Sequence, residues 1–201
     1  MMKISNEDNM KLMARYEDNY FDLAIVDPPY GIAKKMQGTR PMGVQMKNND
    51  WNNCIPSKEY FQELFRVSKN QIIWGANYYS NYLPPSRGWV VWDKKMPENI
   101  GFSMNELAFT SFDCTPMTFY KYADRKNRTH PCQKPVKLYE WLLIHFAKEK
   151  DKILDTHLGS ATIAIACHNL GFDLTACELE QEYYDAAMKR IEQHKAQQRL
   201  F

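Results

Sequence analysis

The chain has few of the features that mark secreted, membrane or metal-binding proteins. Its five cysteines are odd in number and show no C-x-x-C spacing, so neither a zinc site nor a disulfide framework is expected. The N-terminus has no apolar signal segment, and no apolar run is long enough for a membrane span. These absences predict a cytoplasmic protein without a resident metal.

Charge and the common nucleotide-binding motifs are also scarce. The formal net charge is only +2 over 201 residues, so any contact with a polyanion must come from a local patch. The sequence contains no G-x-G-x-x-G and no lysine-bearing phosphate loop, which argues against a dinucleotide or nucleoside-triphosphate site. Apolar residues at 44% and aromatic residues at 13% are sufficient for a core.

Strand and helix patterns alternate along the chain. Helical spacing follows Ser57 and Pro135, runs again from Ile163 to a glycine stop at Gly171, and recurs from Tyr183. Between these segments lie short apolar runs typical of strands: Leu23–Val26, Gln71–Trp74, Trp89–Trp92, Leu107–Ser111, Lys152–Leu154 and Leu174–Cys177. The alternation predicts an α/β fold with a largely parallel sheet, in a single domain over residues 1–201.

Two stretches do not fit the alternation. Residues 31–53 are polar and aperiodic, and their position favours a mobile active-site loop. Residues 113–129 interleave basic and aromatic side chains, as expected for phosphate contact with base stacking, although a solvated loop is equally compatible. The basic candidates in this short recognition segment are Lys121, Arg125, Lys126 and Arg128.

The run Asp27-Pro28-Pro29-Tyr30 ends an apolar strand abruptly. Proline donates no ladder hydrogen bond and forces the preceding residue to extended geometry, so a stiff corner is expected at the strand's carboxyl end. Open α/β sheets bind ligands at that edge. Asp27 and the Pro28 carbonyl could accept both N–H bonds of a nucleobase amine, and Tyr30 could stack on a base flipped out of a duplex.

A second motif runs from Asp155 to Thr162, where a strand leads through Gly159 and Ser160 into a helix. Small residues permit close backbone approach, and a helix N-terminus favours electron-rich groups. Glu178 ends another strand about twenty residues later, a spacing suited to ribose hydroxyls. A nucleoside-bearing cofactor without a pyrophosphate fits this pattern, and S-adenosylmethionine is the expected one.

With both motifs in view, the chain resembles the amino-group DNA methyltransferases, which methylate adenine N6 or cytosine N4. Asp27-Pro28-Pro29-Tyr30 matches their catalytic motif, Asp155–Thr162 their cofactor loop, and Glu178 their ribose-binding acid. The run His130 to Pro135 is similar to their His-Pro-Thr-Gln-Lys-Pro. The resemblance implies a Rossmann-like methyltransferase fold with helices on both faces of the sheet and a circularly permuted motif order, the β group. It also implies cofactor contacts from Asp155, His157, Gly159, Ser160, Thr162, Glu178, His130, Lys134 and Pro135.

The chain departs from the family pattern in its cofactor loop. His157 replaces the usual aromatic residue and Ala161 the last glycine, while Cys132 stands for threonine. An acidic first residue in the catalytic motif favours adenine by family analogy. The expected function is therefore adenine-N6 methylation of DNA, and the resemblance also allows a role in restriction–modification and a homodimer. The alternatives are cytosine-N4 methylation, an RNA or amide acceptor, and a catalytically weak DNA-binding module.

Overall fold

The computed structural model describes residues 1–32, 54–97, 103–122 and 133–197. These ranges contain five α-helices and a short 3₁₀ helix, Ala76–Tyr78. The α-helices are α1 (Asn9–Met13), α2 (Lys58–Val67), α3 (Val136–Phe146), α4 (Thr162–Leu170) and α5 (Gln181–Ala196). The strands are β1 (Met2–Asn6), β2 (Phe21–Val26), β3 (Ser68–Trp74), β4 (Trp89–Asp93), β5 (Asn105–Thr110), β6 (Met117–Tyr120), β7 (Lys152–Asp155) and β8 (Asp173–Glu178).

The eight strands form one sheet in the order β1-β8-β7-β2-β3-β5-β4-β6. Only β5 runs antiparallel to its neighbours, β3 and β4, and every other pairing among the described strands is parallel. Strand β2 lies between β7 and β3, with Leu23 opposite both Ile153 and Asn70. The carboxyl ends of β2 and β7 therefore meet at the same edge of the sheet.

Helices cover both faces of the sheet. Alternate residues of β2 point to opposite sides, so Leu23 and Ile25 enter one core while Ala24 and Val26 enter the other. Helices α3, α4 and α5 pack on the first face, and α1 and α2 on the second. Such three-layer packing buries both faces of a mostly parallel sheet, and it confirms the predicted fold class.

All six predicted strands are present, but β1, α1, β6 and the short 3₁₀ helix were not anticipated. Strand β1 is short and half polar, α1 has only five residues, and β6 is an edge strand that lies inside the predicted recognition segment. None of them is long enough to show a clear period. Asp8 caps α1 by accepting the N–H groups of Met10 and Lys11. Of the two irregular stretches, residues 33–53 and 123–129 lie outside the described residues.

Two global properties can be stated for the described part of the chain. None of its helices combines the length and the apolar character needed to cross a membrane. In the same ranges, no three His, Cys, Asp or Glu side chains are grouped so that they could hold a metal ion.

Candidate active site

The catalytic-motif corner sits where β2 leaves the sheet. Asp27 follows the last residue of β2, next to the ends of β3 and β7. The Tyr30 hydroxyl donates to Asp27 Oδ1 at 2.6 Å, and the Lys134 ammonium bonds Asp27 Oδ2. Lys134 comes just before α3 and its side chain is only 2% exposed. The side chain expected to shape the cofactor pocket thus reaches the catalytic motif.

Two further charged groups, Glu106 and Lys94, complete this cluster. Glu106 Oε2 lies 2.9 Å from Lys134 Nζ and 3.4 Å from the Tyr30 hydroxyl, and Glu106 Oε1 lies 2.6 Å from Lys94 Nζ. Because β5 runs antiparallel, its first residues lie at the edge where β4 ends. The sequence interpretation missed both residues, since no motif marks them and the contacts span distant segments.

Burial and nearby charges shift the pKa values of the two carboxyl groups of the cluster in opposite directions. Burial raises the pKa of Asp27, and the Glu106 carboxylate adds to the rise while Lys134 opposes it. Burial also disfavours ionisation of Glu106, but the charges of Lys134 and Lys94 outweigh it and lower the pKa of Glu106 to about 2. Burial disfavours the charge of Lys134, whereas Asp27 and Glu106 raise its pKa above the ordinary value. Glu106 is therefore the firmly ionised partner of Lys134.

The two prolyl carbonyls of the corner are held by a buried side chain. The Tyr79 hydroxyl lies 2.7 Å from the Pro28 carbonyl oxygen and 2.9 Å from that of Pro29. Tyr79 is 1% exposed, just after the 3₁₀ helix. A carbonyl oxygen has two lone pairs, so Pro28 can accept a second hydrogen bond from a ligand while Tyr79 fixes its direction.

The Tyr30 ring lies against the turn that follows β3. It stacks on Tyr78, with ring centroids 5.0 Å apart and planes inclined by 14°, and Tyr78 is 41% exposed. Gly75 has φ +71°, and a Cβ there would lie 2.2 Å from Tyr30 Cε1. A glycine is therefore required at this turn both for its left-handed backbone and for the space that the Tyr30 ring occupies.

The second motif forms a turn at the end of β7 that is tied to the end of β8. Asp155 is buried and its Oδ1 accepts the His157 N–H at 2.9 Å. Glu178 Oε2 accepts the Gly159 N–H at 2.8 Å, and Glu178 Oε1 accepts the Glu180 N–H at 3.0 Å. Burial raises the pKa of Asp155 to about 8 and also raises the pKa of Glu178. The second motif and Glu178 therefore lie side by side at this edge of the sheet.

His157, which replaces the family's usual aromatic residue, is held by the side chains of Asn9, Tyr60 and its neighbour Thr156. Its Nε2 lies 3.1 Å from the Asn9 amide nitrogen, and its Nδ1 lies 3.0 Å from Thr156 Oγ1. The Tyr60 ring meets the imidazole edge-on at 5.2 Å. Burial lowers the pKa of His157 to about 4, so the ring is neutral and Nε2 accepts from Asn9. Asn9 and Tyr60 were not foreseen, because no motif of the sequence connects them to the cofactor loop.

The start of α4 links the cofactor loop to Lys134. The Thr162 hydroxyl donates to the Lys134 carbonyl at 3.1 Å and accepts from Arg190 at 3.1 Å, and Ser160 Oγ is 2.9 Å away. Ala161 precedes the helix at φ +58°, the left-handed region in which a glycine is relaxed. Ser160 and Thr162 are buried and bonded within the protein, and their contacts with a cofactor stay a prediction.

The remaining predicted residues are dispersed. Pro135 occupies the N-cap of α3, one residue before the helix begins. Lys121 follows β6, where its N–H donates to the Asp93 carbonyl at 3.1 Å, and its two neighbours in the chain, Tyr120 and Tyr122, are exposed. His130 and the basic residues after Lys121 lie outside the described residues: Arg125, Lys126 and Arg128.

The chemistry of the loop suits S-adenosylmethionine. The polar groups of the loop are the Glu178 and Asp155 carboxyl groups and the backbone amides around Gly159. Carboxyl oxygens accept hydrogen bonds from ribose hydroxyls, and they are poor partners for a pyrophosphate. The residues present therefore fit a nucleoside cofactor that carries no phosphate.

Comparisons with known proteins agree with this chemistry. Residues 73–189 match the family model N6_N4_Mtase, described as DNA methylase. The chain is 22% identical to the Type II methyltransferase M.HpaI of Haemophilus parainfluenzae, over 91% of this chain and 72% of that protein. Among solved structures, the M1.HpyAVI–SAM complex has a TM-score of 0.66 at 18% identity, covering 95% of this chain and 99% of that one. The PvuII DNA methyltransferase, named as cytosine-N4-specific, has a TM-score of 0.66 at 12% identity, covering 100% and 88%.

Proposed function

The chain belongs to the N6_N4_Mtase family of DNA methylases, which use S-adenosylmethionine, and from that premise we propose that it methylates the N6 amine of adenine in DNA. One observation carries the proposal. The Asp27 corner and the Asp155 loop end the neighbouring parallel strands β2 and β7 at one edge of the sheet. An amine held at the corner would therefore lie beside a cofactor held at the loop.

The cofactor loop has the task of holding the methyl donor. Glu178 would bind the ribose hydroxyls, and the turn at Gly159 with the buried Asp155 would shape the rest of the site. When bound, S-adenosylmethionine supplies an electrophilic methyl group on a sulfonium, so the protein's contribution is chiefly position and exclusion of water. His157, a neutral ring at this loop, would take the place of the family's aromatic contact.

The corner has the task of orienting the amine. The lone pair of an exocyclic amine is delocalised into the base, and two acceptors directed at its N–H bonds favour the pyramidal nitrogen that can attack. Asp27 and the Pro28 carbonyl would be these acceptors, with Pro29 fixing the corner and Tyr79 directing the carbonyls. Tyr30 would stack on the flipped base. The same Tyr30 ring contacts Tyr78 in the structure.

The DNA backbone would cross the edge of the sheet beyond β4 and β6. Lys121 lies there, and the Lys95 ammonium is 5.2 Å from the Tyr120 ring centroid. Exposed aromatic rings beside ammonium groups suit phosphate contact and base stacking. Arg125, Lys126 and Arg128 are assigned to the same interface by their place in the sequence.

Adenine is preferred over cytosine because the catalytic motif begins with aspartate, by analogy with the family. The test is to incubate the protein with labelled S-adenosylmethionine and DNA of known sequence, digest the product to nucleosides, and identify the methylated nucleoside. We expect N6-methyladenine. Labelled N4-methylcytosine would replace the adenine assignment with the cytosine alternative, and an unlabelled product would refute DNA methylation.

The role of Asp27 is tested by Asp27→Ala. We expect methyl transfer to fall by at least about a hundredfold, because one of the two amine acceptors is lost, while calorimetry shows cofactor affinity within about threefold of the wild type, about 0.6 kcal/mol or less. The cofactor loop is built on other strands, which is the reason for the unchanged affinity. Substantial residual transfer would rule out the assigned role.

A further inference from the structure

The carboxylate proposed to receive the amine is already engaged on both oxygens. Asp27 Oδ1 accepts from Tyr30, and Asp27 Oδ2 accepts from the Lys134 ammonium. A strong charge-assisted bond to lysine competes with a neutral amine for the same acceptor. If Asp27 is to orient the target amine, the hydrogen bond from Lys134 to that carboxylate has to weaken when the base binds.

A Lys134 ammonium that leaves Asp27 needs another partner. Its side chain is 2% exposed, and a buried ammonium that loses its partner carries a large desolvation penalty. Glu106 removes that penalty because it is a second carboxylate, 2.9 Å from the same nitrogen and on a different strand. Lys94 in turn pairs with the other oxygen of Glu106 at 2.6 Å. The two carboxylates and two ammonium groups thus form a charge-balanced cluster.

We propose that Glu106 is a positioning residue that takes over Lys134 when the target amine binds, and so frees an acceptor on Asp27. The proposal rests on the proposed function, since it assumes that Asp27 orients the amine. Glu106 does not touch the base in this scheme and acts only through Lys134. Movement of Lys134 by a fraction of its present hydrogen-bond length towards Glu106 suffices, because both contacts already exist.

The experiment measures single-turnover methyl transfer by the full chain with Glu106→Gln, which keeps the shape and removes the charge. We expect a rate at least tenfold below the wild type, with the dissociation constants of S-adenosylmethionine and DNA within twofold. Glu140→Gln is the matched control, because Glu140 is also a buried carboxylate paired with a lysine, at 2.7 Å, but on α3 away from the site. The control should transfer methyl groups at the wild-type rate.

A double-mutant cycle separates positioning from general support of the fold. If Glu106 acts through Lys134, then Glu106→Gln should slow the reaction much less in a Lys134→Gln background than in the wild type. Equal slowing in both backgrounds, an unchanged rate in Glu106→Gln, or lost affinity for DNA and cofactor would each overturn the proposal. Should Glu106→Gln fail to fold by circular dichroism, Glu106→Asp keeps the charge but shortens its reach, and a wild-type rate for it would overturn the proposal as well.

The same measurements distinguish this proposal from the proposed function. A wild-type protein that does not methylate DNA would refute the function, and the positioning role of Glu106 with it. An active wild type with an equally active Glu106→Gln variant would refute the positioning role alone.

Discussion

At the scale of single residues, His157 and Ala161 depart from the family pattern in the cofactor loop, and the structure compensates for the change at His157. His157 keeps a flat ring at the usual place of an aromatic residue, but it needs hydrogen-bond partners for its nitrogens, and Asn9 and Thr156 supply them. Ala161 adopts the left-handed conformation at φ +58° without the freedom of glycine. Such a backbone costs a residue with a Cβ roughly 1–2 kcal/mol, which the surrounding core must offset.

The neutral state of His157 predicts a pH-dependent contribution to stability. Burial lowers the folded-state pKa to about 4, whereas the unfolded value is about 6.5. The neutral ring therefore makes its full contribution to the free energy of unfolding above about pH 6.5. That contribution declines as the pH falls toward 4. Denaturant unfolding compares the stability of the wild type with that of His157→Phe. We expect the wild type's stability relative to the variant to be about 1–2 kcal/mol lower at about pH 5 than at about pH 7.5. An equal difference at both pH values would contradict a buried neutral imidazole.

At the scale of elements, the site is assembled from the ends of strands. The carboxyl ends of β2, β3 and β7 present the two motifs and the Gly75 turn at one edge. The antiparallel strand β5 brings its amino end to that same edge, and Glu106 with it. Because β5 is antiparallel, it adds the Glu106 carboxylate to a site whose two motifs lie at the C-terminal ends of parallel strands.

The turn after β3 predicts a loss of activity in Gly75→Ala. The new Cβ would clash with the Tyr30 ring, at 2.2 Å from Cε1, and the left-handed backbone would also be strained. Gly171→Ala is the matched control, because Gly171 has φ +78° and a methyl group added there would meet open space. Both variants should lose roughly 1–2 kcal/mol of stability from strain. Only Gly75→Ala should also lose methyl transfer, by about tenfold or more, and similar activities of the two variants would contradict the close contact.

At the scale of the whole molecule, the two motifs share one hydrophobic core. Residues from β2, β3, β7, α3 and α4 pack into the same cluster, so the half that carries the catalytic corner and the half that carries the cofactor loop cannot separate without exposing apolar surface. From this common core we propose that the two halves form one cooperative domain.

This architecture predicts a single unfolding transition that responds to the cofactor. Tryptophan fluorescence includes the signals of Trp74 and Trp92, which are buried in that common core, while far-UV circular dichroism reports on all elements. The two signals should change together with denaturant. S-adenosylmethionine at about a hundred times its dissociation constant should stabilise the fold by about 2.7 kcal/mol in both signals. Two separate transitions, or a shift in only one signal, would show that the halves unfold independently.

The strands, the long helices and both chemical motifs were predictable because their signals are local. An apolar run before Asp27, a small-residue turn at Gly159 and a glycine at Gly171 are each recognised within a few residues. Gly171 ends α4, as its position in the pattern predicted, and its backbone is left-handed at φ +78°. Short or edge elements such as β1, α1 and β6 were missed, because their stability comes from pairing and packing with distant segments rather than from their own pattern.

The sequence by itself determined the fold class, the family and the methyl-donor chemistry, since rigid corners and close backbone approach depend on neighbouring residue types. Only the tertiary structure decided how the Asp27 carboxylate is held. Lys134 lies 107 positions from Asp27 along the chain, and Glu106 lies 76 positions from Tyr30. Contacts over such separations depend on strand order and direction, which no local pattern encodes. The charge balance around Asp27 is therefore a property of the folded sheet.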